Sequence, residues 1–77
     1  MATLTLNIQM NPQTGGNYCE FNYKGRQFYA DRSNVPFLGM ETMIFEVFED
    51  QIDWSELYTD RSGKSLTACI HEFCGTL

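Results

Sequence analysis

Glu46, Glu49, Asp50 and Asp53 fall at the i, i+3, i+4, i+7 spacing of one helical face. With Glu56 they form the densest part of an acidic block: between residues 33 and 60 the chain carries seven carboxylates and no Lys or Arg. Like charges stacked at i+4 cost roughly a few tenths of a kcal/mol per pair. A chain that needed only solubility would do as well with interspersed lysines. A block of one sign repels nucleic acid and acidic membranes and speeds encounter with basic surfaces. Four helical residues rise about 6 Å, a distance of the same order as the phosphate spacing along a nucleic acid strand. A carboxylate ladder can therefore imitate a phosphate backbone. Glu46, Glu49, Asp50, Asp53 and Glu56 are the expected partner-binding residues, aimed at a basic protein surface. The plain alternative is a solvated face.

Other chemistry has weaker support. Cys69, His71 and Cys74, completed by Cys19, offer four potential zinc ligands, but the paired C-x2-C or H-x3-H spacing of structural zinc sites is missing. No metal and no cofactor is expected. A Cys-His nucleophile also needs a base within hydrogen-bond reach and donors for an oxyanion, which nearness in sequence does not supply. Asp50, Asp53, Glu56 and Asp60 lack the spacing and turn glycine of a calcium loop, and Gly15-Gly16 lacks the helix and lysine of a phosphate loop. The chain reads as a non-enzyme. Tyr18, Tyr23 and Tyr29 lie near Lys24, Arg26 and Arg32, a pattern that can stack nucleic acid bases, but a net charge of −5 argues against direct nucleic acid binding. Tyr18, Glu20 and Tyr29 are instead a second candidate set for protein contacts.

These residues need a scaffold. Residues 3–10 alternate, with Leu4, Leu6, Ile8 and Met10 on one side, as in a half-buried strand. Asn11-Pro12-Gln13-Thr14-Gly15-Gly16 then reverses the chain. With Lys24-Gly25 at the tip of a two-residue hairpin, Phe21 faces Phe28 and Cys19 faces Ala30. All four share one apolar face, and Tyr18, Glu20, Asn22, Gln27 and Tyr29 share the other. Such a sheet needs a cover. Met40, Met43, Ile44, Val47 and Phe48 follow a helical stripe, Ser33 or Asn34 can cap it, and Pro36 suits its first turn. A strand there would split Phe45 from Ile44 and leave alternate apolar residues exposed. Asp60-Arg61-Ser62-Gly63-Lys64 reads as the connection between strands near 54–60 and 65–73. The competing reading of the last segment is a helix with Leu66, Cys69, Ile70 and Phe73 on one stripe and Gly75 past its end. The expected fold is α+β, an antiparallel sheet of about five strands in the order βββαββ, covered on one face by one main helix.

Met1, Thr3, Thr5, Asn11-Pro12, Gly15-Gly16 and Glu20-Phe21 resemble the start of small acidic phage-encoded anti-CRISPR proteins that inhibit type I-F surveillance complexes. The resemblance implies a non-enzymatic inhibitor whose acids occupy the lysine-rich DNA-recognition surface of a type I CRISPR-Cas effector subunit. It covers about a quarter of the chain. Gln13 stands where that family has an acidic turn residue, and no functional acid transfers by position. The alternative function is a protein-protein interaction or homodimeric assembly module whose acids serve solubility.

At 77 residues there is room for a single small domain, 1–77, and little for an enclosed substrate pocket. The 43% apolar and 14% aromatic content is that of a folded globule. No apolar run is long enough to span a bilayer, and the first residues lack a signal-peptide layout. Three cysteines make an odd count for a disulfide framework. The expectation is a cytoplasmic protein, in the bacterial host if phage-encoded, either monomer or homodimer, with reduced thiols.

Overall fold

Lys24-Gly25 organises the best-defined hairpin. Both residues take positive φ (52° and 74°), the backbone that a two-residue turn between twisted strands requires. Phe21 then pairs with Phe28 and Cys19 with Ala30, as the side-chain pattern predicts. The computed structural model describes residues 6–77. It contains five strands, β1 (Gln9–Asn11), β2 (Gly16–Tyr23), β3 (Arg26–Val35), β4 (Gly39–Phe48) and β5 (Gln51–Asp60), followed by helix α1 (Leu66–Cys74). All pairings are antiparallel, and the sheet order is β1-β2-β3-β4-β5.

The α+β class and the five-stranded antiparallel sheet stand, but the order is βββββα. The segment expected as the covering helix is β4, a strand in which Ala30 pairs with Ile44 and Tyr29 with Phe45. A strand here splits Ile44 from Phe45, the feature that favours a helix in the sequence. The split is real, yet both residues are buried, Ile44 on the helix side and Phe45 on the other. A strand paired on both edges, here with β3 and β5, can be apolar on both faces, and Thr42, Ile44, Phe45 and Val47 all have high strand propensity.

Residues 65–73 form no strand. Ser65 caps α1 by accepting the Ala68 amide at 3.2 Å, and the Gly75 amide closes the other end on the His71 carbonyl. Leu66, Cys69, Ile70, Phe73 and Cys74 are its buried face. Leu66, Ile70, Phe73 and Cys74 join Cys19, Phe21, Phe28, Ala30 and Ile44 in one core. Phe73 meets Phe28 edge-on, with ring centroids 5.0 Å apart.

The expected strand over residues 3–10 begins outside the described residues, and the assigned strand is only Gln9–Asn11. Met10, expected on the apolar face, is exposed. Gly15 has φ of 73°, but Gly16 serves another purpose: a Cβ there would overlap the Arg32 carbonyl oxygen across the sheet. Among the described residues, no helix is long and apolar enough to cross a membrane.

Candidate functional site

The β4–β5 hairpin carries the acidic block. Val47 pairs with Ile52 and Phe48 with Gln51, which leaves Glu49-Asp50 as a two-residue turn. Both turn residues have positive φ, 50° and 65°, a conformation that costs any residue with a Cβ. Their side chains are exposed. Glu46 and Asp53 are cross-strand partners. The expected helical ladder therefore does not exist: the 46/49/50/53 spacing is also that of a strand, a tight turn and the returning strand, which gathers the acids at one end of the sheet.

These acids differ in how free they are. The Glu46 side chain is 14% exposed, and both its oxygens accept from Arg26, Nε to Oε2 at 2.9 Å and Nη2 to Oε1 at 2.7 Å. This fork holds its carboxyl below the usual glutamate range. Asp53 accepts only the Ser55 amide, at 3.0 Å, among the described residues. Glu56 is exposed on β5. Between Ile44 and Glu46 the register jumps, from the pair Ile44 with Tyr58 to the pair Glu46 with Asp53, so residues 54–57 bulge out of the ladder. That bulge turns Trp54 against Phe45, with ring centroids 5.2 Å apart at 70°, and leaves Trp54 69% exposed. Phe48 and Leu57 are exposed beside the same acids.

Each of the five Lys and Arg side chains is already engaged. Lys24 Nζ donates to the Leu77 carbonyl at 2.7 Å, and Arg26 holds Glu46. Arg32 Nε donates to the Lys64 carbonyl at 3.0 Å, and Arg61 Nε to Glu41 at 3.1 Å. Lys64 bridges Asp60 and Glu72. Glu20, Asp31, Glu49, Asp50, Asp53 and Glu56 have no Lys or Arg within ion-pair distance among the described residues.

The second candidate set lies on the face away from α1. Tyr18 and Tyr29 stand with ring centroids 6.3 Å apart, and Gln27 donates to Glu20 at 3.3 Å. Tyr29 donates its hydroxyl to Asp31 at 3.2 Å. Burial, then the Asp31 charge, pushes its phenol up to about 12. Tyr18, Glu20 and Tyr29 thus belong to the open side, whereas Glu46 and Asp53 lie on the helix side of the hairpin. Further along the open side is a depression of about 170 Å3 lined by Asp31, Val35, Glu41, Met43, Phe45 and Trp54. Sequence reasoning missed it, because Glu41, Phe45 and Trp54 come together only once residues 39–60 form a hairpin.

No protein-family model, curated protein or solved structure matches this chain. The remaining chemistry must be judged from geometry. Cys69 and Cys74 face the core and His71 faces solvent from the opposite side of α1, so the helix separates the residues that sequence places together. Burial pushes the Cys19 and Cys74 thiols up, which makes them poor nucleophiles. Among the described residues, no group of three or more His, Cys, Asp or Glu side chains is arranged to hold a metal ion. The Tyr58 hydroxyl is buried between sheet and helix without a hydrogen-bond partner of ordinary geometry among the described residues, and its phenol is driven up first by burial and then by the Cys69 thiol.

Proposed function

We propose that this chain is a non-enzymatic inhibitor that inserts the β4–β5 hairpin into a basic DNA-recognition groove and so blocks target DNA binding. The observation that carries the reading is the division of charge: all five Lys and Arg side chains are held by internal bonds, and Glu49, Asp50, Asp53 and Glu56 project from one hairpin without a Lys or Arg partner among the described residues. Phe48, Trp54 and Leu57 among them supply the apolar contact area that a partner surface needs. Glu46 acts differently from its neighbours, because its bond to Arg26 braces the hairpin. A type I CRISPR-Cas effector subunit is the partner to which the N-terminal resemblance points.

A homodimeric module built on the Tyr18, Glu20 and Tyr29 face or on the β5 edge is the rival. The β5 edge is bulged and carries Asp53, Glu56 and Asp60, features that oppose edge-to-edge pairing of two copies.

The test is a gel-shift competition in which purified type I-F and I-C surveillance complexes with labelled target DNA are titrated with this protein at two salt concentrations. The expected result is loss of the DNA shift, co-migration of the protein with the complex, and weaker inhibition at high salt. Glu49→Lys with Asp50→Lys should reduce inhibition by about 100-fold or more, since like charges facing across an interface cost several kcal/mol. Full inhibition by this variant, correctly folded, refutes the reading, as does absence of binding to either complex.

A further inference from the structure

The depression on the open face has the wrong size for a metabolite and the right lining for one long cationic side chain. Small-molecule pockets run from about 300 Å3 upward, and this one holds about 170 Å3. Its floor and walls are apolar: Val35, Met43 and the buried ring of Phe45, with Trp54 standing over them. Because Trp54 meets Phe45 at 70°, that contact does not cover both faces of the indole. An uncovered indole face attracts a cation.

Ser33 and two carboxylates complete the lining. Asp31 takes the Tyr29 hydroxyl on Oδ2 and has no Lys or Arg within ion-pair distance among the described residues. Glu41 is largely buried and already holds a guanidinium, that of Arg61, through one bond from Nε at 3.1 Å. Arg61 itself is 59% exposed. Glu41 is the buried partner and Arg61 the exposed one, so a second guanidinium can exchange for Arg61 at the rim of the depression without leaving the carboxylate unpaired.

We propose that this depression is a socket for an arginine side chain of the basic partner. The guanidinium sits between Asp31 and Glu41, where its fork matches carboxylate geometry, and the methylene stem lies on Met43, Val35 and Trp54. This rests on the partner reading above and extends it from the tip of the hairpin to the open face: a groove that receives the β4–β5 edge has one wall against Glu49 and Asp50 and another against Trp54. A second copy of this chain is a poor occupant, because its own cations are engaged and its net charge is −5.

Trp54 is the chain's single tryptophan and reports directly on the socket. The intact protein is titrated with a hexa-arginine peptide and with its hexa-citrulline counterpart, and Trp54 emission is followed. Hexa-arginine should give a saturable change that citrulline does not. Asp31→Asn should weaken it by about tenfold. Arg61→Ala should strengthen it by removing the internal competitor, whereas Lys24→Ala, which deletes the same charge at the other end of the sheet, should leave it unchanged. Glu49→Lys with Asp50→Lys should preserve the emission change. Amide NMR spectra of each variant establish that it is folded. Equal responses to arginine and citrulline, indifference to Asp31→Asn, or no gain on Arg61→Ala overturns the socket. The two readings fail separately. If Asp31→Asn inhibits the effector fully while the Glu49 and Asp50 reversal does not, the socket is wrong and the hairpin reading survives. If the peptide behaves as expected and no effector binds, the socket survives and the inhibitor reading falls.

Discussion

On the helix side of the sheet Phe28 is 0% exposed because α1 brings Ile70 and Phe73 into its core; on the open side Phe45 is only 6% exposed with no helix packed on it among the described residues. The first kind of burial comes from layering, the second from within the sheet, where the bulge at residues 54–57 brings Trp54 down onto Phe45. The difference separates stability from availability. The helix side is a finished core, while the open side has a core-like floor and an exposed aromatic rim that a partner can still cover.

The largest test of that contrast is Phe28→Ala, which should cost about 3–5 kcal/mol in urea denaturation, because Phe21 and Phe73 close around the ring and relax only partly. Against a typical total of about 5–15 kcal/mol, this threatens the fold itself. Phe45→Ala should cost less, about 2 kcal/mol, since Trp54 can settle into the space. Equal costs for the two would mean that the open side is as tightly determined as the core, and the comparison would fail. Tyr58→Phe reads the helix side in the opposite direction: deleting a buried hydroxyl that lacks a partner should raise stability by about 1 kcal/mol. A loss instead would show that the hydroxyl is satisfied, with the Cys69 thiol as the obvious acceptor.

The smallest effect is in acid. Arg26 depresses the folded-state pKa of Glu46, so the stabilisation is complete above the ordinary glutamate range, near pH 4.3, and is lost as pH falls through the lower folded value. Arg26→Gln should flatten the stability profile below about pH 4.5 and leave the open-side residues untouched. An unchanged profile would mean that the Arg26 fork does not persist in solution.

Legibility in the sequence followed how many independent signals each segment carries. β2 and β3 were readable because Lys24-Gly25 fixed the turn and the alternation of Cys19, Phe21, Phe28 and Ala30 then had one consistent register. β4 was not, because a strand that is apolar on both faces loses the period-two alternation and its Met40, Met43, Ile44, Val47 and Phe48 fit a helical stripe by coincidence. The β4–β5 turn carried no warning either: Glu49 and Asp50 occupy left-handed backbone positions where Asn-Gly is the usual signal. The acids stand out in the sequence as a one-sign block, yet their geometry and the bond from Arg26 to Glu46 needed the hairpin. Ser65 and the Leu66, Cys69, Ile70, Phe73 stripe did contain the final helix, as the competing reading of that segment.

The strand order bears on how the chain reaches its native state. Each strand pairs with the one made just before it, so the sheet assembles from local contacts, the arrangement associated with fast folding among β-rich proteins. The helix is different, because it packs back on β2, β3 and β4, and Lys24 meets Leu77 across 53 residues. During synthesis the row Cys19, Phe21, Phe28, Ala30 and Ile44 therefore stays uncovered until residues 66–74 have been made. The interval before α1 docks is when this protein is most exposed to aggregation and to chaperone capture.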